Sequence, residues 1–204
     1  MTTAYAQNVF INCPFDARYQ TLFEAIVFAV SDCGFLSRCA LEIDDGGQIR
    51  IEKIFKIISE CKFGIHDIST TELDEISKLP RFNMPLELGV FLGAKRFGTN
   101  IQKEKICLIL DRESFRYQKF ISDLAGQDIR THGSDTTEAI RVVRNWLSSA
   151  WPEAPLLGGD AIAKRYAMFR RSLPRMCRNL KLAQEKLTFT DYTWLVWEWL
   201  KKNP

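Results

Sequence analysis

The chain has 204 residues, of which 46% are hydrophobic and 26% are charged, with a formal net charge of +3. This is ordinary for a soluble globular protein, and the length fits one domain or one domain with an appendage. The N-terminus lacks a basic region followed by an apolar run, and no stretch approaches the roughly 18 apolar residues of a membrane span. We therefore expect neither a signal peptide nor a membrane partner.

The cysteine and histidine content limits metal and disulfide chemistry. The six cysteines form no CxxC pair, and most of them lie within apolar segments. That pattern is typical of buried free thiols in a reducing cytoplasm. With only two histidines in the sequence, a Cys/His zinc site has little support. We predict a cytoplasmic protein that holds no metal.

Apolar segments and helical patterns alternate along the first 150 residues. In chain order, strands are predicted within 8–16, 34–43, 62–69, 105–111 and 127–132, and helices over about 18–32, 48–61, 81–98, 118–126 and 136–149. The strand at 105–111 is so apolar that both of its faces must be covered, which favours the interior of a parallel sheet. Strands alternating with helices imply right-handed crossovers. The sequence therefore predicts an α/β fold, a three-layer flavodoxin-like sandwich of about five parallel strands, in which Thr136 starts the last of these helices.

A linker rich in Pro and Gly follows this region. It divides the chain into an α/β domain over residues 1–150 and a helical extension over residues 151–204. The last 44 residues carry 10 basic and 3 acidic side chains, whereas the preceding 160 carry 18 and 22. Two explanations stay open, a solvated helix face and a surface that binds nucleic acid or another partner. Strong salt dependence of binding would support nucleic acid.

The extension reads as a basic helical stretch that breaks at Pro174, followed by an aromatic terminal helix. Trp194, Trp197 and Trp199 cannot all lie on one helical face. We therefore expect the terminal helix to lie between two surfaces, and we predict that the extension forms a homo-oligomer interface.

Polar side chains follow the predicted strands where a doubly wound sheet binds its ligands, at the carboxyl ends of the strands. The first and third strands, together with the helix after the third strand, bring several candidates to this edge. The predicted site residues are Asn12, Phe15, Asp16, Asp67, Ser69, Asn83 and Glu87. Because these groups come from separate segments and converge, they form a candidate active site.

Glu87 is the most informative of these residues. We expect it in the first turn of the helix at 81–98, where the helix dipole alone favours an acid by about 0.3–1 kcal/mol. Its neighbours are apolar, however, and Gly89 and Gly93 indicate the close approach of another backbone. Asn83 is expected to be the N-cap, with Pro85 just inside the helix.

The remaining polar candidates have structural explanations of their own. Asp67 taken alone is best explained as a loop cap. His66 lies in an apolar strand and is predicted to be a core histidine, while His132 ends the edge strand and could reach the site.

Three segments, FINCPFD, CKFGIHDIST and FNMPLELGVFLGAKR, together resemble the nucleoside 2-deoxyribosyltransferase-like group, within the superfamily that also includes TIR domains. The resemblance covers about residues 8–132. It implies that Glu87 is the catalytic carboxylate, that Asp67 lies near the base or the sugar hydroxyls, and that Asn83 supports the loop. The loop NCPFD lacks the tyrosine-glycine pattern of true deoxyribosyltransferases, which counts against transferase specificity.

The resemblance implies an N-glycosidase that cleaves the bond between ribose and base in NAD or a related nucleotide, in a bacterial immune or signalling role. A carboxylate stabilises the oxocarbenium-like centre that this cleavage creates. Nicotinamide leaves NAD uncharged and needs little acid help, so NAD is expected as a substrate rather than as a cofactor. Two alternatives remain, a nucleoside or nucleotide 2-deoxyribosyltransferase or hydrolase, and a non-catalytic nucleotide-binding sensor or adaptor.

Overall fold

The computed structural model describes residues 2–71, 78–153 and 155–204. It shows a five-stranded sheet in the order β2-β1-β3-β4-β5, with every neighbouring pair parallel. The strands are β1 (Asn8–Asn12), β2 (Leu36–Arg38), β3 (Phe63–Asp67), β4 (Ile106–Asp111) and β5 (Arg130–Thr131). This is the strand order of a flavodoxin-like fold. The predicted fold class is therefore confirmed.

Helices cover both faces of this sheet. They are α1 (Thr2–Gln7), α2 (Gln20–Asp32), α3 (Arg50–Ser59), α4 (Asn83–Phe97), α5 (Asn100–Lys103), α6 (Thr136–Ala150), α7 (Gly159–Asn179) and α8 (Phe189–Lys202). Short 3-10 helices lie at Arg116–Lys119, Ser122–Leu124 and Gln184–Lys186. Within the described residues, no helix combines the length and the apolar content that crossing a bilayer requires.

The two faces of the sheet pack against different sets of helices. On one face, Phe63 and Ile65 of β3 belong to a large core that includes α2 and α6. On the other face, Phe10 of β1 packs with residues of α3 and α4. Because side chains alternate along a strand, neighbouring residues at the end of β3 belong to opposite faces. His66 therefore lies on the α4 face and Asp67 lies on the α2 face.

Helix α2 is covered on its outer side as well as by the sheet. Nine of its 13 residues are buried. The ring of Phe28 stacks on Phe169 of α7 at a centroid distance of 5.3 Å and lies 5.8 Å from the ring of Trp199 in α8. The helices of the C-terminal extension thus share one continuous core with the α/β domain.

Several predicted element boundaries were wrong. Strand β2 is shorter than the predicted 34–43, because the chain turns at Cys39, whose carbonyl accepts the Glu42 N–H at 3.1 Å. The helix predicted at 118–126 is instead a pair of 3-10 turns. Helices α1 and α5 were not predicted.

One prediction about the later helices is confirmed and one was wrong. Helix α6 begins at Thr136 as predicted, and Asp135 caps it, since Oδ1 of Asp135 accepts the Glu138 N–H at 2.8 Å. Helix α7 continues through Pro174 without a break. Leu173 and Cys177 are buried on either side of the proline, so tertiary packing holds both halves of the helix in line.

The tryptophans of α8 face different parts of the same chain. Trp199 is buried against α2 and α7, whereas Trp194 and Trp197 line a groove beside Leu36 and Arg38 of the edge strand β2. The two surfaces that the tryptophan pattern predicted are therefore both found within this chain. Whether the extension also joins two subunits stays a prediction.

Candidate active site

Buried polar side chains lie where the strands end at the carboxyl edge of the sheet. Asn12, Asp67 and Asp111 are the last residues of β1, β3 and β4, and their exposed fractions are 1%, 0% and 0%. His132 directly follows β5 and is equally buried. Since the strands are parallel, all four side chains belong to the same edge of the sheet.

Asp67 joins three loops at this edge. Its Oδ2 accepts a hydrogen bond from the Tyr19 hydroxyl, in the loop that precedes α2. Its Oδ1 accepts the N–H of Ser69 at 2.8 Å, and His132 Nε2 lies 2.9 Å from Oδ2. Asp67 therefore organises the loops around the site, because it is fully buried and both of its oxygens already have protein partners.

The tautomer of His132 follows from its other ring nitrogen. The backbone N–H of Ser134 donates to Nδ1 at 2.9 Å, so a neutral ring carries its proton on Nε2, the nitrogen nearest Asp67. The contact is short, but it does not have the geometry of a regular hydrogen bond. Burial, followed by the charge of Asp67, raises the pKa of Tyr19 well above its ordinary value. The tyrosine thus remains a protonated donor to the carboxylate.

Asn12 connects the end of β1 to the start of α4. Its Nδ2 donates to the carbonyl of Met84 at 2.8 Å and lies 3.0 Å from Nδ1 of His66. Both hydrogens of the amide thus have protein acceptors. This contact fixes the first turn of α4 against the sheet, and with it the position of Glu87 one turn later.

His66 is a core histidine, as the apolar strand around it indicated. It is fully buried, and its ring packs edge-on against Phe10 and Phe91 at centroid distances of 5.7 and 4.9 Å. Burial, followed by the charge of Lys105, lowers the pKa of His66 to about 3. The ring therefore stays neutral at physiological pH and is a poor proton donor.

Glu87 occupies the inward face of α4. The buried residues of this helix are Met84, Glu87, Leu88 and Phe91, which is the spacing of a core-facing stripe. Glu87 is the fifth residue of the helix, so its predicted place in the first turn was wrong. The N-cap is Phe82 rather than Asn83, and no side chain caps this end. A favourable helix dipole therefore does not account for the acid.

The carboxylate of Glu87 is buried and unpaired. Its exposed fraction is 6%, and it makes no hydrogen bond or ion pair with any residue in the described ranges. Burial raises the pKa of Glu87 to about 7, while the more distant charge of Arg50 acts in the opposite direction. The charge of Glu87 also acts on two buried thiols. The pKa values of Cys13 and Cys39 are raised chiefly by burial and in part by this charge. Asp67 also acts on Cys13, so this cysteine lies near both carboxylates.

The other predicted site residues are distributed around this edge. Phe15 is half-buried and packs edge-on against Phe23 at 5.4 Å. Asp16 closes the turn before α2 through the N–H of Tyr19 at 3.1 Å, and its Oδ2 lies 3.6 Å from Arg81.

Ser69 and Asn83 differ in exposure. Ser69 is buried, and its hydroxyl bonds to no other described residue. Asn83 is exposed at the start of α4. The structure thus places Asn12, Asp67 and Ser69 at the strand ends, joins Asn12 to the start of α4, the helix that carries Glu87, and leaves Asn83 at the surface.

An arginine clamp closes the neighbouring part of the edge. Arg116 donates through Nε to Asp111 at 2.8 Å, through Nη1 to Thr71 at 3.0 Å and through Nη2 to the Ile68 carbonyl at 2.8 Å. It thereby holds the loop after β3 against the end of β4. Burial raises the pKa of Asp111, which the hydrogen bond from Arg116 opposes.

Tyr19 and Arg116 are the residues of this site that sequence reasoning missed. Each lies in a helical pattern or loop with no motif of its own, and each acts on a carboxylate at a strand end. The only available signal was that Asp67 and Asp111 end apolar strands, so that a hydroxyl or guanidinium donor is expected near each of them. Among the described residues, no group of three His, Cys, Asp or Glu side chains is arranged to hold a metal ion.

No protein-family model, curated protein or solved structure matches this chain.

Proposed function

We propose that this protein is an N-glycosidase that cleaves the bond between ribose and base in NAD or a related nucleotide. Glu87 is its catalytic carboxylate. The resemblance of the sequence motifs around Asp67 and Glu87 to the deoxyribosyltransferase-like and TIR-like group supports the reaction class, and it also supports a role in immune signalling.

The observation that carries the proposal is the buried carboxylate of Glu87 on the inward face of α4, which has no hydrogen bond or ion pair with any described residue. Burying a carboxylate without a hydrogen-bonding partner is unfavourable, and the charge of Arg50 offsets only part of this cost. Perturbed and unpaired acids of this kind concentrate at functional sites. A cationic ligand group or a developing positive charge is the natural partner of such an acid.

The chemistry of NAD meets this requirement. The bond between the anomeric carbon and the positively charged pyridine nitrogen breaks, and nicotinamide leaves as a neutral molecule with both bonding electrons. The ribose becomes oxocarbenium-like, which a nearby carboxylate stabilises. Water then adds to the anomeric carbon and releases a proton, so the products are ADP-ribose and nicotinamide.

The histidines favour NAD over a purine nucleoside. A departing purine needs a proton donor, but His66 is buried with a pKa lowered to about 3. His132 accepts the N–H of Ser134 at Nδ1, and its Nε2 lies 2.9 Å from the carboxylate of Asp67. A pyridinium leaving group needs no proton, and this reaction is therefore the better match to the side chains at the edge of the sheet.

The test is to incubate the protein with NAD and to follow free nicotinamide by liquid chromatography with mass detection. We expect turnover by the wild type and a loss of at least about 100-fold with Glu87→Gln. The matched control is Glu185→Gln, which removes an exposed acid after α7 and should leave turnover unchanged. Equal turnover by wild type and Glu87→Gln would exclude Glu87 from the mechanism.

The same preparation separates the two alternatives. Base exchange between two deoxynucleosides without release of nicotinamide from NAD would indicate a deoxyribosyltransferase. Tight nucleotide binding without turnover, unaffected by Glu87→Gln, would indicate a sensor.

A further inference from the structure

The outer face of α4 carries large apolar side chains in water. Phe82, Leu86 and Phe97 have exposed fractions of 62%, 57% and 85%. Together with the two glycines between them, they recur at spacings of three and four residues and so share one side of the helix. The opposite side of α4 is the buried stripe that contains Glu87.

Gly89 and Gly93 lie in the middle of this outer face. A Cβ built on either glycine meets no described atom within 4 Å apart from its chain neighbours and the nearby backbone of α4 itself. The close approach of another backbone that these glycines indicated is therefore not found within the described chain. They open a shallow notch toward solvent instead, with bulky side chains at both ends of it.

We propose that this face binds the same face of a second copy of the chain, with the two α4 helices antiparallel about a two-fold axis. Small residues allow two helix backbones to approach closely, and a two-fold interface uses one self-complementary patch on both subunits. The proposal is independent of the proposed function.

The order of large and small residues supports a second copy as the occupant. With the axis midway between Gly89 and Val90, Leu86 lies opposite Gly93 of the second copy, and Phe82 lies opposite its Phe97. Each leucine thus faces a notch, and each pair of phenylalanines meets at an end. The same arrangement places Arg96 opposite Asn83, so no like charges face each other along these pairs.

The size of the patch sets the expected strength. A fully exposed aromatic side chain presents about 200 Å² of accessible surface. Scaled by their exposed fractions, the three side chains together present on the order of 400 Å² per copy. A standard stable interface buries about 800 Å² per partner. The dimer should therefore be weak and concentration-dependent.

Sedimentation equilibrium over about two decades of protein concentration tests the proposal. The mass of the wild type should rise toward that of two chains. Gly93→Leu should weaken association by more than about tenfold, because it fills the notch that receives Leu86. A Cβ at this position has open space in the monomer, and leucine is a better helix former than glycine. The variant should therefore stay folded, and an unchanged circular dichroism spectrum checks this.

A swap of the large and small residues tests the pairing itself. Leu86→Ala combined with Gly93→Leu exchanges the side chain and its notch, and it should recover association relative to Gly93→Leu alone. The control Trp194→Gln removes an exposed aromatic side chain of α8 and should not change the mass.

Three results would overturn the proposal. They are a wild type that stays monomeric at every concentration, a Gly93→Leu variant that associates like the wild type, and a swap that recovers nothing. Dissociation by Trp194→Gln with no effect of Gly93→Leu would also overturn it and would place the interface on the C-terminal extension.

Discussion

Lys105 and Glu87 both carry an ionisable group into the interior, at opposite ends of the sheet. Lys105 precedes β4 with an exposed fraction of 1%, and its Nζ donates to the carbonyls of Ile58 and Cys61, at the C-terminal end of α3 and just beyond it. The ammonium also lies 4.5 Å from the centre of the Phe91 ring. Burial lowers the pKa of Lys105 to about 8, yet its hydrogen bonds have a clear structural purpose. Glu87 has no comparable partner in the part of the chain that the structure describes, and this contrast singles it out.

The ionisation of Glu87 should make the stability of the protein depend on pH. Its pKa is raised from 4.5 to about 7 in the folded state, so the unfolded chain loses its proton first as the pH rises. The free energy of unfolding should therefore fall by on the order of 3 kcal/mol between these two values and then level off. Glu87→Gln has no carboxyl group at this position and so does not lose this stability. Its free energy of unfolding should exceed that of the wild type by the whole difference above about pH 7.

Urea unfolding of both proteins at a series of pH values measures this difference. Glu185→Gln should follow the wild type, because the acid it removes is exposed. Parallel curves for wild type and Glu87→Gln would show that the folded state does not perturb this carboxyl group.

The positions of single residues could be predicted where the strand pattern determines them. Asn12, Asp67 and Asp111 end strands, and parallel strands share one edge, so their convergence follows from the sequence. The partners of these residues could not be predicted in the same way. Tyr19 and Asp67 are 48 positions apart, and a tyrosine next to a helix looks like an ordinary core residue until the loops are folded.

At the scale of the element, α4 was found correctly but its faces were misassigned. The helix is apolar on nearly every side, so the period of its hydrophobic residues does not indicate which side meets the sheet. The structure resolves this, since Met84 and Phe91 are inside while Leu86 and Phe97 are outside. Glu87 is consequently an inward acid, and the glycines belong to the outward face.

Helix α7 contains a proline that its packing tolerates. Pro174 is exposed and lacks the N–H that a residue at this place would donate to the carbonyl one turn earlier. Pro174→Ala should restore that hydrogen bond and stabilise the protein by about 1–2 kcal/mol, after the greater freedom of the unfolded chain is counted. An increased urea midpoint with an unchanged m-value is the expected result. An unchanged or lower midpoint would mean that the helix has adapted to the proline.

At the scale of the whole molecule, the helices on the two sides of the sheet differ in how far they are covered by further chain. Helices α7 and α8 cover α2, so that side has a second helical layer. On the other side, α4 leaves Phe82, Leu86 and Phe97 in water. The proposed dimer would give this side the cover that the chain itself supplies on the other.

The shared core predicts that the extension and the α/β domain unfold together. Phe169 of α7 is fully buried and stacks on Phe28 of α2. Phe169→Ala should cost about 3–5 kcal/mol and lower the midpoint of one cooperative transition. Met168→Ala, at the exposed neighbouring position, should have little effect. Two separate transitions in calorimetry would instead identify the extension as an independent unit.

The basic residues of the extension fall into two sets. Arg165 pairs with Asp32 at 2.9 Å and Arg170 pairs with Glu24, so both help to hold α7 on α2. The second set is exposed and has no ion-pair partner among the described residues: Lys164, Arg171, Arg175, Arg178 and Lys181. Packing thus explains part of the basic character, and nucleic-acid binding by the second set stays a prediction.

The helices that cover α2 are synthesised long after α2 itself. A ribosome completes α2 at Asp32 and must add 157 more residues before it reaches Phe189, the first residue of α8. At about 5–20 residues per second, Phe28 and its neighbours wait roughly 10 to 30 s for that layer. During this interval the nascent chain displays an apolar helix that can associate with other unfinished chains. The yield of native protein should therefore depend on translation speed and on chaperones that shield α2.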